Sequence, residues 1–288
     1  MDHNRRRGIM LAFFGMLGVS TDSFFIRLAD IDGFDVTFWV GVFAAIATFA
    51  YVRIAEGVQP LREVARGGWP LWLAGALQAG STTMFVLAVT NTSVSNVVVI
   101  VAAAPIIAAA LSRVILGERT SRRVWLAIGV VLVGIVIVVS GSLGEGNLGG
   151  DLFAIGAITQ FGFSLVLLRS HPGIHRGVMV GLGGVGMSLL AAVPAVMWGH
   201  GAKTWIALIL MGAVFGPAAR VAIAAAPKYL PAAEVGLFTP VETVAASLWA
   251  WLFFDEAPVT TTYIGGAIVV GGVLWGMWRP NRHKMATA

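Results

Sequence analysis

Residues 111–118 read LSRVILGE and residues 248–256 read LWAWLFFDE. Both segments close an apolar stretch with an acidic residue, Glu118 in the first and Glu256 in the second. In both cases a glycine follows sixteen residues after the acidic residue. This shared spacing predicts one structural unit that is used twice, and the repeat guides the interpretation of the rest of the chain.

A second match lies at the start of each predicted unit. Three residues of the first unit have the same mutual spacing as three of the second, namely Gly8, Ala12 and Arg27 against Gly150, Ala154 and Arg169. A glycine-rich segment, 141–150, separates the two units. We therefore divide the chain into a first unit, residues 1–145, and a second unit, residues 146–288, which together form one membrane domain.

The composition is that of a membrane protein. Apolar residues make up 58% of the 288 residues and charged residues only 11%, with a mean hydropathy of +0.86. Soluble domains carry about 25% charged residues, which cover the surface that faces water. A surface that faces lipid needs no such cover, so we expect the whole chain to lie in a bilayer.

Ten apolar stretches are long enough to cross about 30 Å of hydrocarbon at about 1.5 Å per residue. The predicted spans are 8–28, 36–54, 70–89, 94–116, 124–142, 151–170, 177–199, 204–226, 233–254 and 260–278. The first run has no Ala-x-Ala cleavage site, so we expect a retained helix rather than a removed signal. Each unit holds five spans, and an odd number requires that the second unit be inverted relative to the first.

The distribution of basic residues predicts the orientation. If the N-terminus lies in the cytoplasm, 16 of the 19 lysines and arginines fall on the cytoplasmic side. The loop after Glu118 is basic, whereas the loop after Glu256 has no basic residue, as inverted units require. The sequence predicts an all-α protein of ten transmembrane helices in two inverted five-helix repeats, with both termini cytoplasmic, in a bacterial inner membrane.

Other classes of function lack the residues they need. The chain has no cysteine, and its 5 histidines lie at predicted termini and loops, so we expect no metal site and no cofactor. The motifs of zinc proteases, serine hydrolases and Walker-A ATPases are absent, so we expect neither an enzyme nor an ATP-driven pump. The net charge of +5 is divided among short clusters between spans, so we expect no nucleic-acid partner.

A family resemblance rests on the two acidic segments. Residues 116–121, LGERTS, resemble the recurring "LGE-R" element of the drug/metabolite transporter superfamily, EamA type, and residues 254–258, FDEAP, resemble its degenerate second copy. The resemblance covers about residues 5–280, and within the superfamily the chain is similar to the YddG-type exporters of aromatic and other neutral amino acids. It implies a secondary transporter that works by alternating access and exports its substrate.

Polar side chains inside spans are costly and usually face a cavity or a partner helix. Counting the rise from the cytoplasmic end places Gln78, Gln160 and Glu242 at depths of about 12–15 Å, near the bilayer midplane. Neighbouring hydroxyls lie one turn away on the same helix faces. The predicted substrate-binding residues are Gln78, Ser81, Thr82, Asn96, Gln160, Ser164 and Glu242. The alternative for the two glutamines is that they only form hydrogen bonds between helices.

A carboxylate at the depth of Glu242 is either protonated or paired. Arg220 is the only basic residue that lies more than four residues from either end of a predicted span, and it could pair with Glu242 or with Glu234. One hypothesis is that Glu242 and Arg220 form a structural ion pair. The other is that Glu242 takes up a proton during transport and couples the protein to the proton gradient.

Two further polar residues have two interpretations each, and two prolines are candidate hinges. Asp22 is placed in the outer third of the first span, where it lines an outer vestibule or lies at the interface. Asn96 opens the fourth span and caps it, or contacts the substrate. Pro105 and Pro240 lie within predicted spans, where a missing backbone donor makes them candidate hinges.

Alternatives to an amino acid exporter remain open. A sugar-phosphate, nucleotide-sugar or drug carrier would share the fold, although Arg220 alone offers little positive charge for a phosphate. A channel would need a filter or a repeated pore-lining helix, neither of which is present in the sequence. A membrane scaffold is a further alternative. The expected partners are a small-molecule substrate and the lipid bilayer, and we expect a monomer whose G-x-x-x-G motifs serve internal packing.

Overall fold

The computed structural model describes residues 3–92, 97, 100, 101, 103–140, 147–196, 198–254 and 260–277. Within these ranges every regular element is helical. The α-helices are α1 (His3–Val19), α2 (Thr21–Ala29), α3 (Gly33–Ile54), α4 (Pro60–Arg66), α5 (Gly68–Asn91), α6 (Ala104–Leu116), α7 (Arg122–Ser140), α8 (Leu148–Ser170), α9 (Arg176–Ala191), α10 (Ala202–Ile209), α11 (Gly216–Ala225), α12 (Ala232–Gly236), α13 (Thr239–Phe254) and α14 (Thr260–Met277). A π-helical segment, Leu210–Phe215, joins α10 to α11.

Six stretches of the described chain are long and apolar enough to cross a membrane: His3–Ala29, Gly33–Ile54, Gly68–Asn91, Leu148–Ser170, Ala202–Lys228 and Ala232–Phe253. Helices α6 and α9 and the Tyr263–Gly276 part of α14 are shorter apolar helices. Large apolar side chains cover the outer surface, including Ile54, Leu126 and Leu189, all more than half exposed. Such a surface suits lipid and would be unfavourable in water.

Prolines explain where the helices depart from the predicted spans. Helix α9 ends at Ala191, although the predicted span continued to residue 199, because Pro194 cannot extend the backbone hydrogen bonds. The eighth predicted span contains the π segment, which ends just before Pro217. The ninth is divided between α12 and α13, and Pro240 lies in the first turn of α13.

Helices α3 and α9 correspond to the second predicted span of each half, and they pack antiparallel to each other. Gly41 lies against Gly184, whereas Val52 near the end of α3 lies against Gly177 at the start of α9. A Cβ built on Gly41 would lie 2.6 Å from the Gly184 carbonyl oxygen, so the two backbones are in direct contact. Small residues permit this approach, as is typical of helix packing in membranes.

Helices α7 and α14, which close each half, are also antiparallel. A Cβ built on Gly134 would lie 2.9 Å from Val269 Cγ2, and one built on Gly272 would lie 2.9 Å from Val131 Cγ2. Gly134 and Gly272 are the glycines that follow the two acidic segments of the repeat. Exchanging the two halves therefore turns the Gly134–Val269 contact into the Gly272–Val131 contact.

The start of each half obeys the same symmetry. Gly8 packs against Leu230, and its equivalent Gly150 packs against Thr92; in both cases a Cβ would lie within 3.0 Å of the neighbour. Equivalent helices of the two halves run antiparallel, so the axis that relates the halves lies across the helices rather than along them. This is the packing expected of two inverted copies.

Candidate functional site

A cavity lies between the two halves and contains about 760 Å³ of empty space, including its opening to solvent. Its walls come from α1, α2, α5 and α6 of the first half and from α8, α11 and α13 of the second. Much of the wall is apolar, with Met16, Phe85, Ile158 and Phe161 among the side chains that face the space. The polar lining residues are confined to a few positions on α2, α5, α8, α11 and α13.

The centre of the polar lining is an ion pair between α2 and α11. Arg220 Nη2 lies 2.7 Å from Asp22 Oδ2, and the two side chains are 11% and 1% exposed. Both residues follow a change in helix geometry. Asp22 comes just after the break at Ser20, and Arg220 lies one turn into the helix that follows the π segment. Irregular helices at a cavity are common at functional sites.

Only one of the two oxygens of the Asp22 carboxylate has a hydrogen-bond partner. Its Oδ1 is buried and has no hydrogen-bond partner, whereas Oδ2 accepts from Arg220. Arg220 Nε makes one further, long contact of 3.5 Å to Thr82 Oγ1. Buried polar atoms are nearly always hydrogen-bonded in native proteins, so the orphaned oxygen points to a missing donor.

Helix α5 supplies a polar strip beside the ion pair. Gln78 Nε2 donates to Thr82 Oγ1 at 2.9 Å, one turn along the same helix. Ser81 Oγ donates to the Ala157 carbonyl oxygen of α8 at 2.9 Å, which joins the two halves. Ser164 lines the same cavity from α8 and is buried.

Glu242 lies in the first turn of α13, where the unpaired N–H groups of a helix favour a negative charge. Its side chain is buried, with the residue 8% exposed, and it lines the cavity. Among the described residues, no hydrogen bond or ion pair involves its carboxylate. The charged groups that act on it from neighbouring helices are Asp22 and Arg220.

The cavity brings together five of the predicted substrate-binding residues: Gln78, Ser81, Thr82, Ser164 and Glu242. Asn96 lies outside the described residues. Gln160 was predicted to converge with them and does not line the cavity. Its amide lies against Gly80 of α5, and its Nε2 is 3.0 Å from Met84 Sδ. Gln160 therefore packs between α5 and α8, which is the alternative given for it above.

The predicted partners of Arg220 need correction. Arg220 pairs with Asp22, and Glu234 pairs with Arg5 at 2.5 Å. Asp22 is almost fully buried, and it lines the cavity between the two halves. The long arginine side chain reaches Asp22 from α11.

The two candidate hinges lie at helix starts. Pro105 is in the first turn of α6, after a turn at Ala103, and Pro240 is in the first turn of α13. A proline in a first turn costs no hydrogen bond, because that N–H would have no partner within the helix. The interruptions come just before the prolines. Gly236 of α12 packs directly on Pro105, so the two interrupted regions are in contact.

Sequence reasoning missed two features of the lining. Thr239, which precedes the predicted Pro240 hinge, also faces the cavity. Trp249 donates its indole N–H to Ser20 Oγ at 2.8 Å and thereby braces the break before Asp22. A tryptophan in the middle of a predicted span, away from both interfaces, was the available signal for the second.

Two ion pairs join the halves at the end of the molecule that carries the N-terminus. Arg5 of the first half binds Glu234 of the second, and Arg169 of the second binds Glu118 of the first at 3.1 Å. Arg169 also donates to the Pro227 carbonyl oxygen at 3.0 Å. At the opposite end, Thr92 donates to Asp151 at 2.9 Å.

In the described part of the chain, no three histidine, cysteine or acidic side chains come together as a metal site would require. The two cavity carboxylates have arginine as their charged neighbour, which does not favour a bound metal ion. The arrangement instead suits an organic molecule with both polar and apolar parts.

Comparison with known proteins agrees with this architecture. The model of the EamA-like transporter family matches residues 6–140 and 148–277, one match for each half. A solved crystal structure superimposes with a TM-score of 0.80 at 18% identity, covering 93% of this chain and 96% of that chain. At this identity the superposition supports the fold alone.

Curated relatives match along nearly their whole length. An uncharacterized transporter of Archaeoglobus fulgidus is 24% identical over 261 residues, with 91% of this chain and 92% of the relative covered. The uncharacterized transporter YwfM of Bacillus subtilis is 24% identical, with 86% of each chain covered. The pseudopaline exporter CntI of Pseudomonas aeruginosa is 23% identical over 274 residues, with 92% and 94% covered. With both halves matched by the family model, the chain belongs to the EamA-like transporter family, within the drug/metabolite transporter superfamily.

Proposed function

We propose that this protein is a secondary transporter that exports small neutral or zwitterionic metabolites, with amino acids bearing aromatic or other neutral side chains as the main candidates. The observation that carries the proposal is the central cavity, whose walls come from both halves and combine a few polar groups with apolar side chains. Inverted-repeat transporters hold their substrates in such a place. The name of the Pseudomonas aeruginosa relative, an exporter, supports the direction.

The charges of the cavity favour this substrate class over sugar phosphates and nucleotide sugars. Arg220 is the only basic side chain among the described lining residues, and Asp22 already neutralises it. A multiply charged phosphate would therefore meet no free positive charge. A zwitterion can place its apolar side chain against Phe85 and Phe161 and its polar end against α5 and α13.

The mechanism we propose is alternating access by the two inverted repeats. The ion pairs Arg5–Glu234 and Arg169–Glu118 close the end that carries the N-terminus, and they would separate when the cavity opens there. In the proposed arrangement ten helices cross the inner membrane, both termini are cytoplasmic, and the protein acts as a monomer. A channel or a scaffold would need no such closure.

We further propose that Glu242 couples transport to protons. It lines the cavity without a hydrogen-bond partner among the described residues, and the charged groups that face it are Asp22 on α2 and Arg220 on α11. A carboxylate in this setting can carry a proton in one state and release it in another. Proton entry through Glu242 would then drive substrate export.

Uptake of labelled phenylalanine, tryptophan, threonine and methionine into proteoliposomes, with and without a pH gradient, tests both proposals. We expect saturable uptake that a pH gradient stimulates. Glu242→Gln should abolish the stimulation, whereas Glu63→Gln, outside the cavity, should leave it intact. Uptake of no amino acid would reject the substrate assignment, and unchanged stimulation in Glu242→Gln would reject Glu242 as the coupling group.

A further inference from the structure

The charges that line the cavity do not balance. Asp22 and Glu242 supply two carboxylates, and Arg220 is the only base among the described lining residues. With both carboxylates ionised, one negative charge has no counterpart. An unpaired charge away from water is strongly unfavourable, so a proton or a positively charged group must meet it when the cavity is dry.

The hydrogen bonds of the cavity are incomplete at the same place. Asp22 is 1% exposed, and its Oδ1 has no donor. Glu242 is 8% exposed and has no hydrogen-bond or salt-bridge partner in the described part of the chain. The two carboxylates with free acceptors thus belong to residues that line one cavity, from α2 and from α13.

The neighbouring groups limit what can occupy this place. A primary ammonium is compact and carries three donors with no acceptor, so it can satisfy two carboxylates at once. A carboxylate or phosphate placed there would add negative charge to negative charge. Apolar side chains that line the same cavity, including Met16 and Phe161, can take an apolar group attached to the amine.

We propose that the cavity selects metabolites that carry a protonated primary amine, and that Asp22 Oδ1 and the Glu242 carboxylate bind the ammonium. The inference rests on the proposed transport function and names the chemical group that the site recognises. Amino acids and apolar amines belong to the accepted class. N-acylated amino acids and simple carboxylic acids are excluded, because neither carries a primary ammonium that can donate to the two carboxylates.

The amine and the proton compete for Glu242 under this proposal. Substrate binding from one side displaces the proton, and a proton from the other side displaces the substrate. The unbalanced charge then explains why one carboxylate remains outside the ion pair. Neutralising Glu242 would remove the competition without breaking the Asp22–Arg220 pair.

Binding of four related probes to the purified protein in detergent, at about pH 7, tests the assignment. Phenethylamine, L-phenylalanine, N-acetyl-L-phenylalanine and 3-phenylpropionate share a phenyl ring and differ in their charged groups. We expect the two amines to bind at least about 100-fold more tightly than the two acids, because a polar site rejects analogues that lack its partner. Similar affinities for all four, a preference for the acids, or no binding of either amine would each overturn the proposal.

Transport in proteoliposomes distinguishes this failure from failure of the proposed function. L-phenylalanine that binds but is not carried would refute the amino acid exporter and keep the amine site. L-phenylalanine transport that N-acetyl-L-phenylalanine inhibits equally well would keep the carrier and refute the amine site.

Variants locate the ammonium. Glu242→Gln should weaken phenethylamine binding at least about 10-fold, since a charge-assisted hydrogen bond is lost, and the matched control Glu63→Gln should not. Asp22→Asn together with Arg220→Gln removes both charges of the pair and avoids a lone buried arginine. This double variant should also lower the preference for phenethylamine over 3-phenylpropionate, and an unchanged preference in both cavity variants would show that the ammonium binds elsewhere.

Discussion

The Asp22–Arg220 pair makes a quantitative prediction about stability. Asp22→Asn keeps the shape of the side chain and one acceptor oxygen, and it removes the charge that faces Arg220. The arginine is 11% exposed, its other contact, to Thr82, is 3.5 Å long, and no other carboxylate is hydrogen-bonded to it in the described part of the chain. Breaking a buried pair costs about 3–5 kcal/mol, and we expect about 3 kcal/mol here because the hydrogen bond is kept.

A double-mutant cycle separates the pair from the two individual residues. Arg220→Met should cost a similar amount, because it leaves the buried Asp22 carboxylate alone. The combined variant should cost less than the two single variants together, with a coupling energy of at least about 2 kcal/mol. The matched control is Asp30→Asn. Asp30 is exposed, and its backbone lies in the left-handed region with φ of 52°, a conformation that asparagine tolerates.

Denaturant unfolding of the purified proteins in one detergent, followed by circular dichroism, gives the four free energies. Asp30→Asn should stay within about 0.5 kcal/mol of the original protein, as surface changes usually do. Additive costs, with a coupling energy below about 0.5 kcal/mol, would mean that the two groups do not interact in the membrane protein, and the geometry of the cavity would need revision.

Three other predictions use neighbouring residues as controls. Gly134→Ala should destabilise the protein by about 1–3 kcal/mol, because its Cβ would meet backbone atoms of α14, whereas Gly129→Ala on the same helix meets nothing and should gain up to about 1 kcal/mol in unfolding free energy. If L-phenylalanine is transported as proposed, Gln78→Ala should raise its KM about 10-fold, as loss of a hydrogen bond to a charged group predicts, whereas Gln160→Ala should leave KM unchanged; equal effects would contradict the lining described above. Because the chain has no native cysteine, Ser164→Cys should react with a small thiol reagent and be protected by substrate, whereas Gln160→Cys should show no protection.

The local parts of the fold could be predicted from the sequence. Apolar length gives the approximate position of a helix, and the spacing of Gly8 and Gly150 indicated that these two glycines are equivalent. The structure packs each glycine against the segment that follows the third predicted span of the other half, Gly8 against Leu230 and Gly150 against Thr92. The early end of α9 could also have been predicted from Pro194, but the predicted span ran past this proline.

The residues of the site were harder to predict, because the rise along a helix gives the depth of a side chain in the membrane but not the direction in which it points. Gln160 and Ser164 are one turn apart, yet only Ser164 faces the cavity. The Gln160 amide turns toward Gly80, where the missing side chain leaves room. A glycine opposite a long polar side chain was the signal that could have predicted this.

The ion pair was missed for a related reason. Depth estimates treat each span as a straight helix and ignore side-chain length, so Asp22 was placed in the outer third of its span and was not considered as a partner of Arg220. The internal repeat, however, could have predicted that these two residues meet. Asp22 is equivalent to Ser164, and Arg220 is equivalent to Thr82, by the spacings of the two sequence matches. Since Ser164 and Thr82 were predicted to share a site, their equivalents should have been expected to meet.

Counterflow tests the central claim, carriage through the cavity between the repeats, most directly. Proteoliposomes loaded with unlabelled L-phenylalanine are diluted into a trace of labelled L-phenylalanine without any ion gradient. A carrier predicts transient accumulation of label above equilibrium, lost in the Asp22→Asn, Arg220→Gln variant and retained in Asp30→Asn. Label that only approaches equilibrium would indicate a channel, and counterflow that survives in the cavity variant would contradict a substrate path through this cavity.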